Sequence, residues 1–261
     1  MAVELLLPDN QPVRVANVKI STDGKLPDQF AEAAELVWEG WLRRRAANPH
    51  LFNGSVFLTS DIKLDDGCLS GRAARTDYAN FLHWRGNASF QTSVSLHHIF
   101  PVAAIESADG VLIAVRASSN TLNAGKVYFA GGNFDDGDVS GVRLDPHHNM
   151  RREVLEETGL NLSVMAEGNG WVAVRSNWFV AVFKHYTSPM QAIEFSDLIL
   201  GHVGRQNVPE NDACVLIRDA GDISSNMPQY MQAYCRYHFS MASTPHSPES
   251  GPVNFGEMAG K

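Results

Sequence analysis

Three glutamates crowd one short stretch of the chain and set the chemistry to be expected. Glu153, Glu156 and Glu157 fall within five residues of a stretch with helical character. At ~100° per residue, offsets of zero, three and four bring the three carboxylates into one arc of roughly 100°. Like charges on one exposed helical face repel one another by a few tenths of a kcal/mol per pair. Such crowding favours a cation bound at this face.

The type of ligand indicates which cation. Carboxylate oxygens with no nearby cysteine and no matched histidine spacing suit hard ions, so Mg²⁺ or Mn²⁺ is favoured over Zn²⁺. Magnesium keeps several waters and is usually completed by substrate phosphates, so the predicted substrate carries phosphates. The structural alternative is an exposed helix whose glutamates are merely solvated.

The neighbouring residues predict how the glutamates are positioned. Arg152 can reach Glu156 one helical turn later, which would hold that ligand in place. Gly159 is a natural residue to follow a helix C-terminus. Val154 and Leu155 are predicted to face the core. Upstream, a strand over 126–130 leads into a glycine pair, so the order is strand, glycine loop, helix.

This order and the run REVLEETGL over 152–160 resemble the Nudix box, GX5EX7REUXEEXGU, with U an apolar residue. Every defined position from Arg152 to Leu160 is met. In the first half, Gly132 is followed by Asp138 where the pattern has glutamate. Thirteen residues separate Asp138 from Arg152 instead of seven, so the loop is about six residues longer than the pattern.

The resemblance implies a Nudix fold, which is an α/β/α sandwich around a mixed β-sheet, here with an N-terminal α+β extension. It also implies Mg²⁺-assisted attack of water on the diphosphate of a nucleoside diphosphate linked to another group. The implied metal ligands are Glu153, Glu156 and Glu157, with Arg152 positioning them. The general base is left open between a helix glutamate and a later loop; the candidates are Glu153, Glu210, Asp212 and Glu194.

The N-terminal part has a second, narrower resemblance. The order Trp38, Trp41, a proline, the run LFNG over 51–54 and the run RTDY over 75–78 is similar to the leader of Nudix enzymes that hydrolyse UDP-glucose and UDP-galactose. This implies cleavage of a UDP-sugar to UMP and a sugar 1-phosphate. The structural alternative is that these aromatic residues only fill a core between a helix and a hairpin.

The predicted substrate-binding residues are Arg75, Tyr78, Gly131 and Gly132. The uracil would stack on an aromatic ring, with Tyr78, Phe52 or Trp84 as candidates. Alternative substrates are ADP-ribose, a dinucleotide or a CoA ester. A different class is a Nudix-derived nucleotide-binding regulator without activity; such proteins usually lose helix glutamates, and this chain keeps all three.

The composition excludes several other classes. The chain has 261 residues, 44% of them hydrophobic and 19% charged, with a net charge of −8. That charge argues against a general nucleic-acid binder. The three cysteines are odd in number and widely spaced, which favours reduced thiols, and there is no secretory signal and no run long enough to span a membrane. We therefore expect a cytoplasmic protein; Nudix proteins often pair, which leaves room for a homodimer.

The predicted organisation is an extension over 1–92 packed on the core, a Nudix domain over 93–241 and a disordered tail over 242–261, where apolar residues become rare. Periodicity predicts the strands and helices. Strands are predicted over 13–20, 55–64, 68–74, 98–104, 111–115, 161–165, 171–175, 178–184 and 213–217. Helices are predicted over 30–47 and 224–239, and a short one opens within 75–82 with Thr76 or Asp77 as its N-cap. His147 and His148 are predicted in the turn before the glutamate helix; paired histidines suggest a metal, but adjacent side chains on a helix do not converge, so exposed side chains are expected.

Overall fold

The computed structural model describes residues 7–119, 121 and 123–242, and the predicted tail lies outside them apart from its first residue. The described residues form seven α-helices and thirteen β-strands. The helices are α1 (Gln29–Glu32), α2 (Ala34–Ala47), α3 (Tyr78–Arg85), α4 (Ala88–Val94), α5 (Pro146–Thr158), α6 (Ala192–Val203) and α7 (Gln229–Ala242). The strands are β1 (Pro12–Val15), β2 (Asn17–Ser21), β3 (Ser55–Asp65), β4 (Cys68–Asp77), β5 (His98–Glu106), β6 (Leu112–Ala117), β7 (Val127–Tyr128), β8 (Val139–Ser140), β9 (Arg143–Leu144), β10 (Ala166–Glu167), β11 (Trp171–Ser176), β12 (Phe179–Thr187) and β13 (Asn211–Ile217).

A mixed central sheet positions the glutamate helix. Its strands run in the order β1-β11-β12-β5-β6-β13, with β10 added to β12 and β7 to β6. Strand β12 pairs with β5 in parallel, whereas the other pairs of this sheet are antiparallel. The central strands β5 and β12 are buried on both faces, which accounts for their nearly continuous apolar sequences.

Helices cover both faces of this sheet. On one face, Ile99 and Ala103 of β5 share a core cluster with Val154 of α5 and Phe195 of α6. On the other face, the alternate β5 residues Val102 and Ala104 join a cluster with α7. The predicted α/β/α sandwich around a mixed sheet is therefore confirmed.

The N-terminal residues build a second sheet, in the order β3-β4-β2-β9-β8. Strand β3 alternates between two cores. Phe57 and Ile62 face the cluster that contains α5, while Val56 and Leu58 face a third cluster formed with α2, α3 and α4. Two backbone hydrogen bonds between Thr59 and His97, of 2.7 and 2.9 Å, join this sheet to the start of β5.

Most predicted elements of the N-terminal part are present, with one correction. The hairpin forms at Asp65–Gly67, with Asp66 and Gly67 at positive φ, and Asp77 caps α3 by accepting from Asn80 N. The single strand predicted over 13–20 is wrong. It is two strands, β1 and β2, that belong to different sheets, because the chain crosses over at Ala16.

Three further expectations differ from the structure. Residues 162–164 form a short 3₁₀ helix and not a strand, since Asn161 caps that turn with its side chain. Helix α6 is absent from the sequence prediction. Leu155 is 53% exposed rather than buried, whereas its neighbour Val154 is fully buried. Within the described part of the chain, no helix combines the length and apolar character needed to cross a bilayer.

Candidate active site

Helix α5 has well-defined ends, which fix the orientation of its glutamates. The Asp145 carboxylate accepts hydrogen bonds from the backbone N–H groups of His147 and His148, both at 3.0 Å, and Pro146 occupies the first turn. The helix ends at Gly159 with φ +73°, as predicted. A Cβ there would also lie 2.7 Å from the Nδ1 atom of His202 in α6, so both the backbone conformation and the lack of space favour glycine.

The two histidines lie in the first turn of α5 rather than before it. His148 is exposed, and the His147 ring packs edge-on against Trp171 with the ring centroids 4.9 Å apart.

The three helix glutamates share one cavity of about 320 Å³. They differ in burial: the Glu157 residue is 8% exposed, and the side chains of Glu153 and Glu156 are 15% and 61% exposed. A fourth carboxylate, that of Glu210, lines the same cavity from the loop between α6 and β13. The cavity is completed by Gln206, Asn207 and Val208 of this loop.

The electrostatics of the cavity show an excess of negative charge. Burial raises the pKa of Glu153 to about 7; Arg152 opposes this shift, and Glu156 and Glu210 add to it. Burial raises the pKa of Glu157 well above its usual range, and the charges of Glu153 and Glu210 raise it further. Carboxylates crowded in this way are stabilised as anions by a nearby cation.

The donor set fits a hard divalent cation. Glu153, Glu156, Glu157 and Glu210 offer only carboxylate oxygens, which suit Mg²⁺ or Mn²⁺ and give no preference to Zn²⁺. Glu157 is also oriented from behind, since Asn211 Nδ2 donates to its Oε2 at 3.4 Å and Tyr128 Oη donates to Asn211 Oδ1 at 3.4 Å. These are the residues that could hold the ion.

Neighbouring atoms lie too close to Gly131 and Gly132 to leave room for a side chain at either position. A Cβ on Gly132 would lie 2.2 Å from the carboxylate carbon of Glu153. A Cβ on Gly131 would lie 2.6 Å from the carbonyl oxygen of Pro101 in β5. The loop therefore passes directly beneath the Glu153 carboxylate, and a side chain at either position would displace something. Gly132 therefore lies against a predicted metal ligand, whereas Gly131 packs against the backbone of β5, and a substrate-binding role for either stays a prediction.

Arg152 connects the glutamates to the glycine loop. Its Nη1 lies 2.9 Å from Glu153 Oε1 and 3.4 Å from Glu156 Oε2, so the predicted one-turn pair with Glu156 is present. Its Nη2 lies 3.0 Å from Asp138 Oδ2 and 3.3 Å from Asp135 Oδ2. The guanidinium thus holds two helix carboxylates on one side and two loop carboxylates on the other.

Asp138 is the buried anchor of this arrangement. It is 1% exposed, and its Oδ2 accepts from Arg152, from Asn149 Nδ2 at 2.8 Å and from the backbone N–H of Asp135 at 3.0 Å. Asn149 also donates to the carbonyl of Asn133 at 2.9 Å, which ties the glycine loop to α5. Asp138 therefore acts as a positioning residue for Arg152.

The long loop between Asp138 and Arg152 contains the hairpin β8–β9. Strand β9 pairs with β2 of the N-terminal sheet at Ser21 and Arg143, and Thr22 N donates to Val142 O at 3.0 Å. The extra residues thus join the N-terminal sheet to the start of α5. This contact accounts for the departure of the loop from the length of the Nudix pattern.

Of the three loop candidates for the general base, only Glu210 lines the cavity. The Asp212 carboxylate instead accepts from Arg116 Nε at 2.7 Å, and Glu194 caps the N-terminus of α6 by accepting from Gln191 N at 2.7 Å. The sequence favoured Glu210 only through the turn character of Pro209-Glu210, because the position of the candidates depends on how the chain folds back after α6.

The predicted substrate residues Arg75 and Tyr78 are not among the residues that line the cavity. Arg75 makes a two-fold contact with Asp136, which follows the glycine pair, with both N–O distances at 2.6 Å. Tyr78 opens α3, and burial raises its pKa, with the charge of Arg85 opposing and that of Glu210 adding. Their contact with a substrate therefore stays a prediction.

The three aromatic candidates for base stacking differ in exposure. Trp84 is fully buried among Phe81 and Phe179, so it is not available to a ligand. Phe52 is 82% exposed, and Tyr78 is partly exposed. The core alternative holds for Trp41, which is 3% exposed, but not for Phe52 or for Trp38, which is 55% exposed.

Sequence reasoning missed the supporting residues Asn149, Asn211 and Gln206. Gln206 Nε2 donates to the Glu156 carbonyl at 2.9 Å, which docks the loop that carries Glu210 against α5. Asn149 lies one turn before Glu153 on the same helix, so helical periodicity could have found it. Nothing in the local sequence marks the other two.

Comparison with known proteins gives distant structural likenesses only. No family model and no curated protein matches the chain. The MutT protein from Methanosarcina mazei Go1 is 20% identical, over 57% of this chain and 96% of that one, with a TM-score of 0.39. The E. coli ORF135 protein is 15% identical over 57% and 96%, with a TM-score of 0.35. The Nudix hydrolase RenU from M. smegmatis is 11% identical over 59% and 89%, also with a TM-score of 0.35. Likenesses at this level do not decide a function, so the function is argued from the site.

Proposed function

We propose that this chain is a Nudix-type hydrolase that uses Mg²⁺, or Mn²⁺, to cleave the diphosphate of a nucleoside diphosphate linked to another group. The observation that carries the proposal is the convergence of four carboxylates, Glu153, Glu156, Glu157 and Glu210, on one cavity beside a glycine loop. When bound there, the metal neutralises charge on the phosphate oxygens and lowers the pKa of an attacking water.

The chain's own residues divide the remaining tasks. Arg152 fixes the carboxylates of Glu153 and Glu156, and Asn211 fixes that of Glu157. Glu210 reaches the cavity from a different element, so we assign it as the general base that takes the proton of the attacking water. The water oxygen bonds to one phosphorus, the bridging P–O bond breaks, and two phosphate monoesters leave.

Among the candidate substrates we propose a UDP-sugar, which would give UMP and a sugar 1-phosphate. The support is the resemblance of the N-terminal part to UDP-sugar hydrolases, together with the effect of the Glu210 charge on Tyr78 at the start of α3. The exposed ring of Phe52 and the partly exposed ring of Tyr78 offer surfaces on which a uracil could stack.

The test is a panel of nucleoside diphosphate compounds, incubated with the protein and Mg²⁺ and scored for phosphate products. We expect UMP from UDP-glucose, and no product from Glu156→Gln. Turnover of ADP-ribose, a dinucleotide or a CoA ester with UDP-glucose left intact would overturn the substrate assignment alone. Inertness toward the whole panel with tight nucleotide binding would instead identify a regulator.

The base assignment has its own matched pair of variants. Glu210→Gln removes the proposed base and is expected to lower kcat by about 10²–10⁴-fold with little change in KM. Asp212→Asn, two residues further on in β13, is expected to leave kcat within a factor of two to three because its carboxylate pairs with Arg116. Equal kcat losses in the two variants, or a loss confined to Glu153→Gln, would place the base elsewhere.

A further inference from the structure

We infer that Glu106, His185 and His238 form a second metal site, selective for Zn²⁺, on the face of the central sheet opposite the glutamate helix. Glu106 ends β5, His185 lies near the end of β12, and His238 belongs to α7. The three side chains lie on the side of the sheet covered by α7, whereas α5 packs on the other side. The cluster is thus separate from the proposed Mg²⁺ cavity.

The fold brings the three residues together from distant parts of the sequence. Strands β5 and β12 pair in parallel with Glu106 opposite Thr187 and Ala104 opposite His185, so Glu106 and His185 point to the same face as diagonal neighbours. On α7, Tyr234 and His238 are four residues apart and therefore also share a face.

The geometry is close to that of a three-residue zinc site. His185 Nε2 lies 2.9 Å and His238 Nε2 lies 3.8 Å from Glu106 Oε2, and the three ligand atoms lie within 4.8 Å of one another. With Zn–N and Zn–O bonds of about 2.0–2.1 Å, tetrahedral ligands are about 3.3 Å apart. The observed distances lie on both sides of that value, so small side-chain rotations would bring all three atoms to one ion.

The types of donor atom favour zinc. Two imidazole nitrogens and one carboxylate oxygen suit Zn²⁺ better than Mg²⁺, which prefers oxygen ligands alone.

A hydrogen-bond partner of His185 and the partial exposure of the three side chains also support a zinc site. Tyr234 Oη lies 3.4 Å from His185 Nδ1, where it can accept a hydrogen bond from the Nδ1–H group of a histidine that binds a metal through Nε2. The side chains of Glu106, His185 and His238 are 25%, 28% and 17% exposed, so solvent can supply a fourth ligand. Three protein ligands with one open position is the arrangement of zinc sites that keep a water.

The test measures Zn²⁺ binding to the full chain by calorimetry and by metal content after dialysis, in excess Mg²⁺ to occupy the glutamate cavity. We expect one Zn²⁺ per chain, lost in both His185→Gln and His238→Gln. Bound Co²⁺ in place of Zn²⁺ should give the intense visible absorption of a tetrahedral site, and this band should disappear in the same variants.

Three further variants make the result decisive. Tyr234→Phe removes one hydroxyl and keeps the ring, and it should weaken Zn²⁺ binding by about 10–100-fold without preventing folding. His148→Gln, an exposed histidine on α5, and Glu156→Gln should bind Zn²⁺ like the original chain. No bound Zn²⁺, Zn²⁺ retained by both histidine variants, or Zn²⁺ lost in Glu156→Gln would each overturn the site and leave an ordinary ion pair between His185 and Glu106.

Discussion

Replacing Gly132 by alanine should separate activity from stability. The new Cβ would lie 2.2 Å from the carboxylate carbon of Glu153, which must move by about 1.2 Å to reach an ordinary contact of 3.4 Å. Gly132 is not among the residues at positive φ, so alanine fits its backbone. The atoms displaced are the far end of a flexible side chain, so the free energy of unfolding should change by less than about 1 kcal/mol.

The same displacement moves a proposed metal ligand. A misplacement of about 1 Å in a catalytic arrangement can cost roughly 10²-fold, which is about 2.7 kcal/mol of transition-state stabilisation. We therefore expect kcat/KM of Gly132→Ala with UDP-glucose and Mg²⁺ to fall about 100-fold, while Tm changes by no more than a few degrees. The measurements are a phosphate-release assay over a range of Mg²⁺ concentrations and a thermal melt.

Two glycine variants serve as controls. Gly131→Ala would place its Cβ 2.6 Å from the backbone oxygen of Pro101, so it should lower Tm as well as activity. Gly40→Ala lies in α2, where the nearest atom is an Arg44 side-chain nitrogen at 3.5 Å, and should change neither activity nor site. Unchanged kcat/KM in Gly132→Ala would refute the role of Glu153, and a loss of Tm equal to that of Gly131→Ala would refute the proposed separation.

Further predictions concern the arginine anchor, the acidic cavity and the helix end. Asp138→Ala leaves Arg152 without its buried partner and should lower the free energy of unfolding by about 3 kcal/mol. Asp138→Asn should lower it by less. Urea unfolding measures both values, and equal losses would contradict the proposed role of the Asp138 charge. In the folded chain the pKa of Glu153 is raised from 4.5 to about 7, so between pH 4.5 and 7 the folded chain binds more protons than the unfolded chain. The free energy of unfolding of the metal-free protein should therefore fall by about 3 kcal/mol as the pH rises from 4.5 to 7. Glu153→Gln should flatten this melting profile, and a profile that stays equally steep would exclude Glu153 as its source. Gly159→Ala should lower Tm by several degrees, since φ +73° and the His202 ring both oppose a Cβ.

The glutamate helix could be predicted because its signals are local. The spacing of Glu153, Glu156 and Glu157, the arginine before them and Gly159 after them are all readable within eight residues. Helix α6 could not, because it carries apolar residues on its exposed side, such as Ile193 and Leu198, which obscure a helical period.

Residues that meet only through the tertiary fold were harder to predict. Glu210 was one of several base candidates, favoured only by the turn character of the Pro209-Glu210 pair. Glu106, His185 and His238 share no spacing at all, because two come from parallel strands and one from the last helix. The strand predicted over 13–20 also contained a signal that was passed over: the apolar alternation shifts by one residue between Val15 and Val18, where the chain crosses from one sheet to the other.

The hairpin β8–β9 has a consequence for related sequences. Its strand β9 pairs with β2 of the N-terminal sheet, and the segment that precedes the hairpin contains Asp138, the partner of Arg152. A relative that lacks the N-terminal sheet would leave this hairpin without a neighbour, so we expect such a relative to have the shorter spacing. The number of residues between the glycine pair and the glutamate helix should then indicate, from sequence alone, whether the N-terminal sheet is present.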